Sequence, residues 1–312
     1  MRDSVSLYPI KDRENKVKTE DLGKIVEPHS SFSNFLDSLP AILKGSELKT
    51  LLDYLQSAIR KNKLISVGMG AHVIKTGISP LLIDQMKQKR LHHIAMNGAG
   101  PIHDFELAFQ GETSEDVARG LEDGTFGMIR ETGDFLHAAI EKYGYQENRG
   151  MGYAIGKAIS EENLPYKSLS ILANAYEMNI PVTVHTAIGT DIIYQHPKAV
   201  GAHIGQVSMN DFDTFINLLP QLHEGGVFMN FGSAVIIPEV FLKALTVARN
   251  VTQKPYDFST ANFDMMLHYR PNFNVLSRPV QKGRGFHFSG HHEIMLPLLF
   301  AALNEIMAQK IK

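Results

Sequence analysis

Residues able to move protons or hold a ligand gather at a few short, glycine-bearing segments. His185 and His196 flank Asp191, and a carboxylate between two imidazoles has acid–base capacity, although a histidine held by backbone partners is the commoner case. Further on, His287, His291, His292 and Glu293 in GFHFSGHHE resemble a metal cluster, since His287 and His291 would share a face if one helix carried both. Gly290 argues for a strand, a turn and a capped helix start instead, its N-terminus directed at a ligand edge. No metal ligand is therefore assigned, and His291 and Glu293 are kept as candidate substrate contacts. Five segments combine small residues with a few polar ones: GMGAHVIKTG (68–77), NGAGPIHDF (97–105), HTAIGTD (185–191), NFGSAV (230–235) and STANFD (259–264). Glycine lets backbone approach a ligand, and helix N-termini offer free N–H groups to anions. Any one such turn serves folding alone, because βα turns need Gly and Asn for positive backbone angles. Their repetition points to a nucleotide site.

The elements that must carry these turns follow from hydrophobic period. Residues 1–47 are polar, include the Ser-rich PHSSFSNFLDSLP, and read as an N-terminal extension. From residue 48, LKTLLDYLQSAIRK has helical spacing and LISVG (64–68) reads as a short buried strand. Ser79-Pro80 supplies an N-cap with proline at the first helical position, and HHIAMNGAG turns apolar again before a glycine loop. The alternation continues through the strands PVTVH (181–185), VFMNF (227–231), DFSTANF (257–263) and GFHFS (285–289), with helices over NDFDTFINLLPQL, PEVFLKALTVARN and EIMLPLLFAALNEIM. Six strands separated mostly by helices predict one α/β domain over 48–312, a Rossmann-like parallel sheet with helices on both faces. No solenoid repeat is visible.

Composition narrows the function. The 312 residues are 44% hydrophobic and 21% charged, enough to bury a sizeable core. A net charge of -2 leaves no excess to grip a polyanion, so nucleic acid is not an expected partner. The absence of cysteine removes disulfides, thiolate metal sites and cysteine nucleophiles. The start carries scattered charges where a secretory signal has a continuous apolar run, and no apolar stretch is long enough to span a bilayer, so a cytoplasmic protein without a membrane role is expected. Neither GxGxxG with a following ribose-binding acid nor GxxxxGK[ST] occurs, which disfavours ordinary Rossmann dehydrogenases and P-loop enzymes.

The ordered set KLISVGMGAHVIKTGISPLLIDQM, IAMNGAGPIHDFE, PVTVHTAIGTD, FGSAVIIPE and STANFD followed by Tyr269-Arg270-Pro271 resembles the turns of the deoxyhypusine synthase family, from about Leu48 to the C-terminus. The resemblance implies NAD bound on a Rossmann-like sheet and chemistry on an amine or polyamine such as spermidine. It implies cofactor contacts at Gly70, Ala71, His72 and Thr76 in the first turn and at Asn97, Gly98, Ala99, Gly100, His103 and Asp104 in the second. Gly232, Ser233 and Ala234 stand for the family's three glycines, and Asp191 for its nicotinamide-side aspartate. The chain departs from the pattern at His103, which replaces a ribose-binding acid, and at Ile237 and Pro238, which replace a Lys-His pair. Pro279 stands at the position of the nucleophilic lysine and the chain has no tryptophan; Lys282 in RPVQKGRG is close enough in sequence to substitute, though a loop lysine is more often merely solvated.

The expected function is hydride transfer between NAD and an amine or polyamine, with Asp191 and Lys282 as catalytic candidates, Asp264, Glu293 and His291 as substrate contacts, and a homotetramer implied by the resemblance. Transfer of an aminobutyl group to a protein lysine is expected to be absent or much reduced. Two alternatives stay open: a non-catalytic nucleotide-binding protein that keeps the cleft, and a metal-assisted hydrolase using the C-terminal histidines.

Overall fold

Six short runs, mostly of buried residues, form the strands of a computed structural model that describes residues 1–308: β1 Ile65–Met69, β2 His93–Asn97, β3 Val182–His185, β4 Val227–Phe231, β5 Ser259–Asp264 and β6 Gly285–Ser289. Every pairing is parallel, and the order is β3-β2-β1-β4-β5-β6. This is an α/β Rossmann-like sheet. Strand order reverses between β1 and β4, and in such sheets the crevice beyond the carboxyl ends at the reversal is where ligands bind.

The two faces of the sheet differ chemically. Strand alternation and register place Val67, Ile94, Met229, Ala261 and Phe286 on one face, an apolar surface. On the other face the register aligns Ser66 with His93 and Asn230 with Asn262 and His287. Those polar groups bond one another in two rows. Ser66 Oγ meets His93 Nδ1 at 2.8 Å, His93 Nε2 meets Thr183 Oγ1 at 3.0 Å, and Thr183 Oγ1 meets His185 Nε2 at 2.9 Å. In the other half Asn230 Nδ2 donates to Asn262 Oδ1 (2.7 Å), Asn262 Nδ2 bonds His287 Nδ1 (3.0 Å), and His287 Nε2 bonds Ser289 Oγ (2.9 Å). Apolar rings seal this face: Phe215 stacks on His93 at 4.9 Å, and Phe228 stacks on Phe241 at 3.9 Å. Burial holds the imidazoles of His93 and His185 down to about 3, so both are neutral structural groups at ordinary pH.

The helices run where apolar spacing places them, with earlier starts. The expected helix from residue 48 begins at Leu43 and runs to Arg60, and the one expected from Asn210 begins at Gly201 and runs to Leu218. Helices Ile236–Thr252 and His292–Ala308 follow β4 and β6. The crossover from β2 to β3 opens with the NGAGPIHDF segment, carries no motif beyond Glu106, and folds into helices Ala99–Gln110, Val117–Asp123, Arg130–Ala139, Met151–Glu161 and Ile171–Glu177. Two compact units divide the chain, Met1–Thr50 and the portion from Leu51 onward. The first contains three short 3-10 turns and the helix Phe32–Ser38, whose N-cap Ser31 accepts from Asn34 N–H.

Candidate functional site

Three strand ends and the crossover enclose a cleft of about 230 Å³ at the carboxyl edge. Lys75 comes from the turn after β1, Ala99, Ile102, His103 and Glu106 from the helix after β2, and Thr190 and Asp191 from the loop after β3. Ser114, Glu115 and Phe126 close it from the crossover. Asp191 and Gly98 meet directly: a Cβ on Gly98 would collide with Asp191 Oδ2 and come within 3.1 Å of the Tyr194 hydroxyl. That close approach is what the glycine permits. Burial pushes the Asp191 carboxyl above its ordinary range, countered by the neighbouring hydroxyls of Thr190 and Tyr194. Tyr194 itself is raised by burial and then by Asp191, and its hydroxyl is buried without a partner in bonding geometry.

His103 is held neutral in the cleft wall. Burial, then the Lys75 charge, brings it down to about 4. Thr113 gives its single hydroxyl proton to Glu106 Oε2 (2.5 Å), so the 2.7 Å contact with His103 requires Nδ1 of His103 to donate. Nε2 of His103 is then an acceptor. Thr132 donates to the other Glu106 oxygen (3.2 Å), and Glu115 accepts from Gly127 N–H, which fixes the crossover against the cleft.

A second part of the edge lies at the reversal point. A Cβ on Gly70 would approach the Gly232 carbonyl oxygen to 2.7 Å, and one on Gly232, whose φ is +65°, would strike the His292 ring. The rings of His72 and His292 are edge to face at 5.8 Å. Among the described residues, six buried side-chain polar atoms have no partner, and four of them, Asn97 Oδ1, Tyr194 Oη, Asn230 Oδ1 and His292 Nδ1, belong to the carboxyl ends of strands or the segments that follow. Unsatisfied polar atoms concentrated on a glycine-floored edge fit a polar ligand such as a dinucleotide.

Other expected contacts lie elsewhere. Asp104 is fully buried and accepts from Ser170 Oγ (2.5 Å), Ile171 N–H (2.7 Å) and Leu172 N–H (3.1 Å), capping helix Ile171–Glu177 and missing from the cleft lining. Burial still raises it to about 6, against those bonds. Gly100 lets its helix sit on Met96, Thr76 Oγ1 donates to His72 O, and Ser233 Oγ accepts from Ile237 N–H at the start of the following helix. Ala71 is buried and Ala234 half-buried beside these turns. Asp264 ends β5, its Oδ1 accepting from Met265 N–H, while His291 and Glu293 are solvent-exposed, 3.8 Å apart. His196 is 3.5 Å from Asp134 and stacks on His137, outside the cleft.

Lys282 is not part of the cleft lining. It precedes β6 and so stands at the amino edge of the sheet, opposite the cleft; the Pro279 carbonyl nearby is bonded by Arg249, near the far end of the helix that leaves β4. The C-terminal histidines also separate: His287 joins the Asn262 row, and His292 Nε2 donates to Phe263 O. Among the described residues no three His, Asp or Glu side chains converge on a metal position. Lys75 and Glu106 lie inside the quoted turn segments without an assigned role, and Glu115 and Tyr194 lie outside them; Tyr194 is near enough to Asp191 in sequence to be found as its neighbour.

No protein-family model and no curated protein sequence matches the chain. Solved structures do. A conserved protein assigned as LOR/SDH from Methanococcus maripaludis S2 superposes with TM-score 0.54 at 15% identity, covering 93% of this chain and 75% of its own. A protein assigned as a deoxyhypusine synthase from Entamoeba histolytica superposes with TM-score 0.53 at 10% identity, covering 91% and 96%. The fold is theirs. AgrE, in its ternary complex with ornithine and NAD+, gives TM-score 0.54 at 11% identity over 87% of this chain, which spans only 35% of AgrE. At these identities the likeness is one of architecture.

Proposed function

We propose that the protein is a deoxyhypusine synthase-like, NAD-dependent enzyme that oxidises an amine or polyamine. The observation that carries this reading is the carboxyl-edge cleft, in which Asp191, pressed against Gly98, shares a wall with Lys75 and neutral His103. NAD, when bound, supplies the acceptor for a hydride from the carbon next to the amine nitrogen. Gly70, Gly98 and Gly232 allow backbone approach, Asn97 and Tyr194 offer unsatisfied polar atoms, and Lys75 contributes positive charge toward an anionic cofactor. Asp191 orients the substrate cation, and its raised proton affinity lets it take a proton from an ammonium more readily than an exposed carboxylate would. The half-buried walls limit water around that ion pair, which strengthens it. The AgrE complex with ornithine and NAD+ supports the pairing of this architecture with an amine-bearing ligand and NAD.

The position of Lys282 favours a second reading, nucleotide binding without turnover, and argues against transfer through an enzyme lysine at that position. A titration with NAD followed by addition of spermidine and other amines separates the two. NADH formation supports oxidation; NAD binding with no NADH from any amine supports the second reading. A homotetramer and a cytoplasmic location belong to the same proposal. Exposed Ile188, Val235, Met265, Met266 and Ile294, all following strand carboxyl ends, offer apolar surface for self-association.

A further inference from the structure

His292 is the first residue of the helix His292–Ala308 and is only 2% exposed. Its Nε2 lies 3.1 Å from the Phe263 carbonyl oxygen, which can only accept, so Nε2 carries a proton, and in the tautomer protonated at Nε2 alone Nδ1 is a bare lone pair. Nδ1 is buried and has no partner. Around it are Gly232, whose missing side chain leaves room for the ring, and the exposed His72, whose ring edge is 5.8 Å away by centroid. The ring thus stands at the reversal between β1 and β4, beside a surface-reaching neighbour, with an acceptor left over. An acceptor buried without a donor costs free energy unless a ligand or water supplies one.

We propose that Nδ1 of His292 is a ligand contact that accepts a hydrogen bond from an N–H donor held in the crevice. Two ligands carry that chemistry: the amine of the substrate and the carboxamide of a nicotinamide cofactor. The assignment rests on the reading of the edge as an NAD and amine site, and the test keeps the two separable. Nitrogen-15 NMR of histidine-labelled full-length protein, assigned by through-bond correlation, reads Nδ1 directly in the free protein, with spermidine alone, with NAD alone and with both. The expected result is an unprotonated Nδ1 resonance that shifts in one of the single-ligand arms, which identifies the source of the donor. His292→Gln retains an amide donor for Phe263 O and takes the acceptor away from the Nδ1 position, its own Oε1 branching from the donor carbon instead; it is expected to weaken that same ligand by about tenfold while leaving thermal unfolding close to wild type. If NAD and spermidine bind with no change at Nδ1, the proposal is overturned and the NAD reading stands. If NAD does not bind but spermidine shifts Nδ1, the NAD reading fails and the contact survives. If no arm moves Nδ1, a structural water satisfies it and the proposal is overturned, whatever the variant does.

Discussion

Asp191 and Gly98 meet directly in the cleft, and both yield direct tests. Asp191→Asn keeps the shape and removes the charge; amine-dependent NADH formation is expected to fall at least 100-fold, about 2.7 kcal/mol, with NAD affinity nearly unchanged. Equal loss of NAD affinity, measured by titration, would instead make Asp191 a cofactor contact. Gly98→Val forces a branched side chain into Asp191 and Tyr194, and is expected to weaken NAD binding at least tenfold, about 1.4 kcal/mol. A folded variant with unchanged affinity would count against the site. Lys282 gives the opposite expectation: borohydride reduction during turnover with labelled spermidine, followed by peptide mapping, should leave it unlabelled, because its amine stands at the amino edge. Label on Lys282 would require a different arrangement of that loop or a site shared between copies.

At the scale of elements, buried carboxylates join helices to the sheet. Asp211, on helix Gly201–Leu218, accepts from Val184 N–H (2.9 Å) at the outer side of β3 and from Gly152 N–H (3.1 Å) at the start of helix Met151–Glu161. Burial raises its carboxyl to about 7, against these backbone bonds. The unfolded chain releases that proton near the ordinary aspartate value, so between about pH 4 and 7 the folded state binds more protons than the unfolded. This contribution to stability is present at the acid end and is lost as pH rises through 7. Asp211→Asn does not titrate, so its urea midpoint is expected to decline less than that of wild type between pH 4 and 8. Parallel profiles for the two proteins would show that Asp211 titrates normally. The neutral His93 and His185 act with the opposite sign, favouring the fold as pH rises from about 3 to the ordinary histidine range.

For the whole molecule, the carboxyl edge combines the candidate site with exposed apolar side chains, including Met265, Met266 and Leu267 directly after β5. Light scattering at micromolar concentration is expected to give the mass of four chains of 34.8 kDa, and a monomer would refute the homotetramer. No helix among the described residues is long and apolar enough to cross a membrane.

Local residue pattern was sufficient to specify the six strands, but not the helices of the crossover from β2 to β3. VFMNF and GFHFS coincide with β4 and β6, because a short apolar run bounded by turn residues has few other ways to satisfy its backbone while burying its side chains. The glycine turns were legible too: the four segments that carry glycine lie at or run from the carboxyl ends of β1 to β4, since chain direction in a parallel sheet sends every βα turn to one edge, whereas STANFD, which carries none, is strand β5 itself. What no local pattern determines is which distant turns touch. The contact of Gly98 with Asp191, and of Gly232 with His292, depends on strand order and on how closely helices pack, both products of long-range burial. Asp104 shows the same limit: an acid in a candidate cofactor turn, it faces inward because the helix carrying it packs against a helix N-terminus about 65 residues on that needs an acceptor. Lys282 and Glu293 are neighbours in sequence, yet one precedes β6 and the other follows it, so a single strand's length and direction separate them to opposite edges of the sheet.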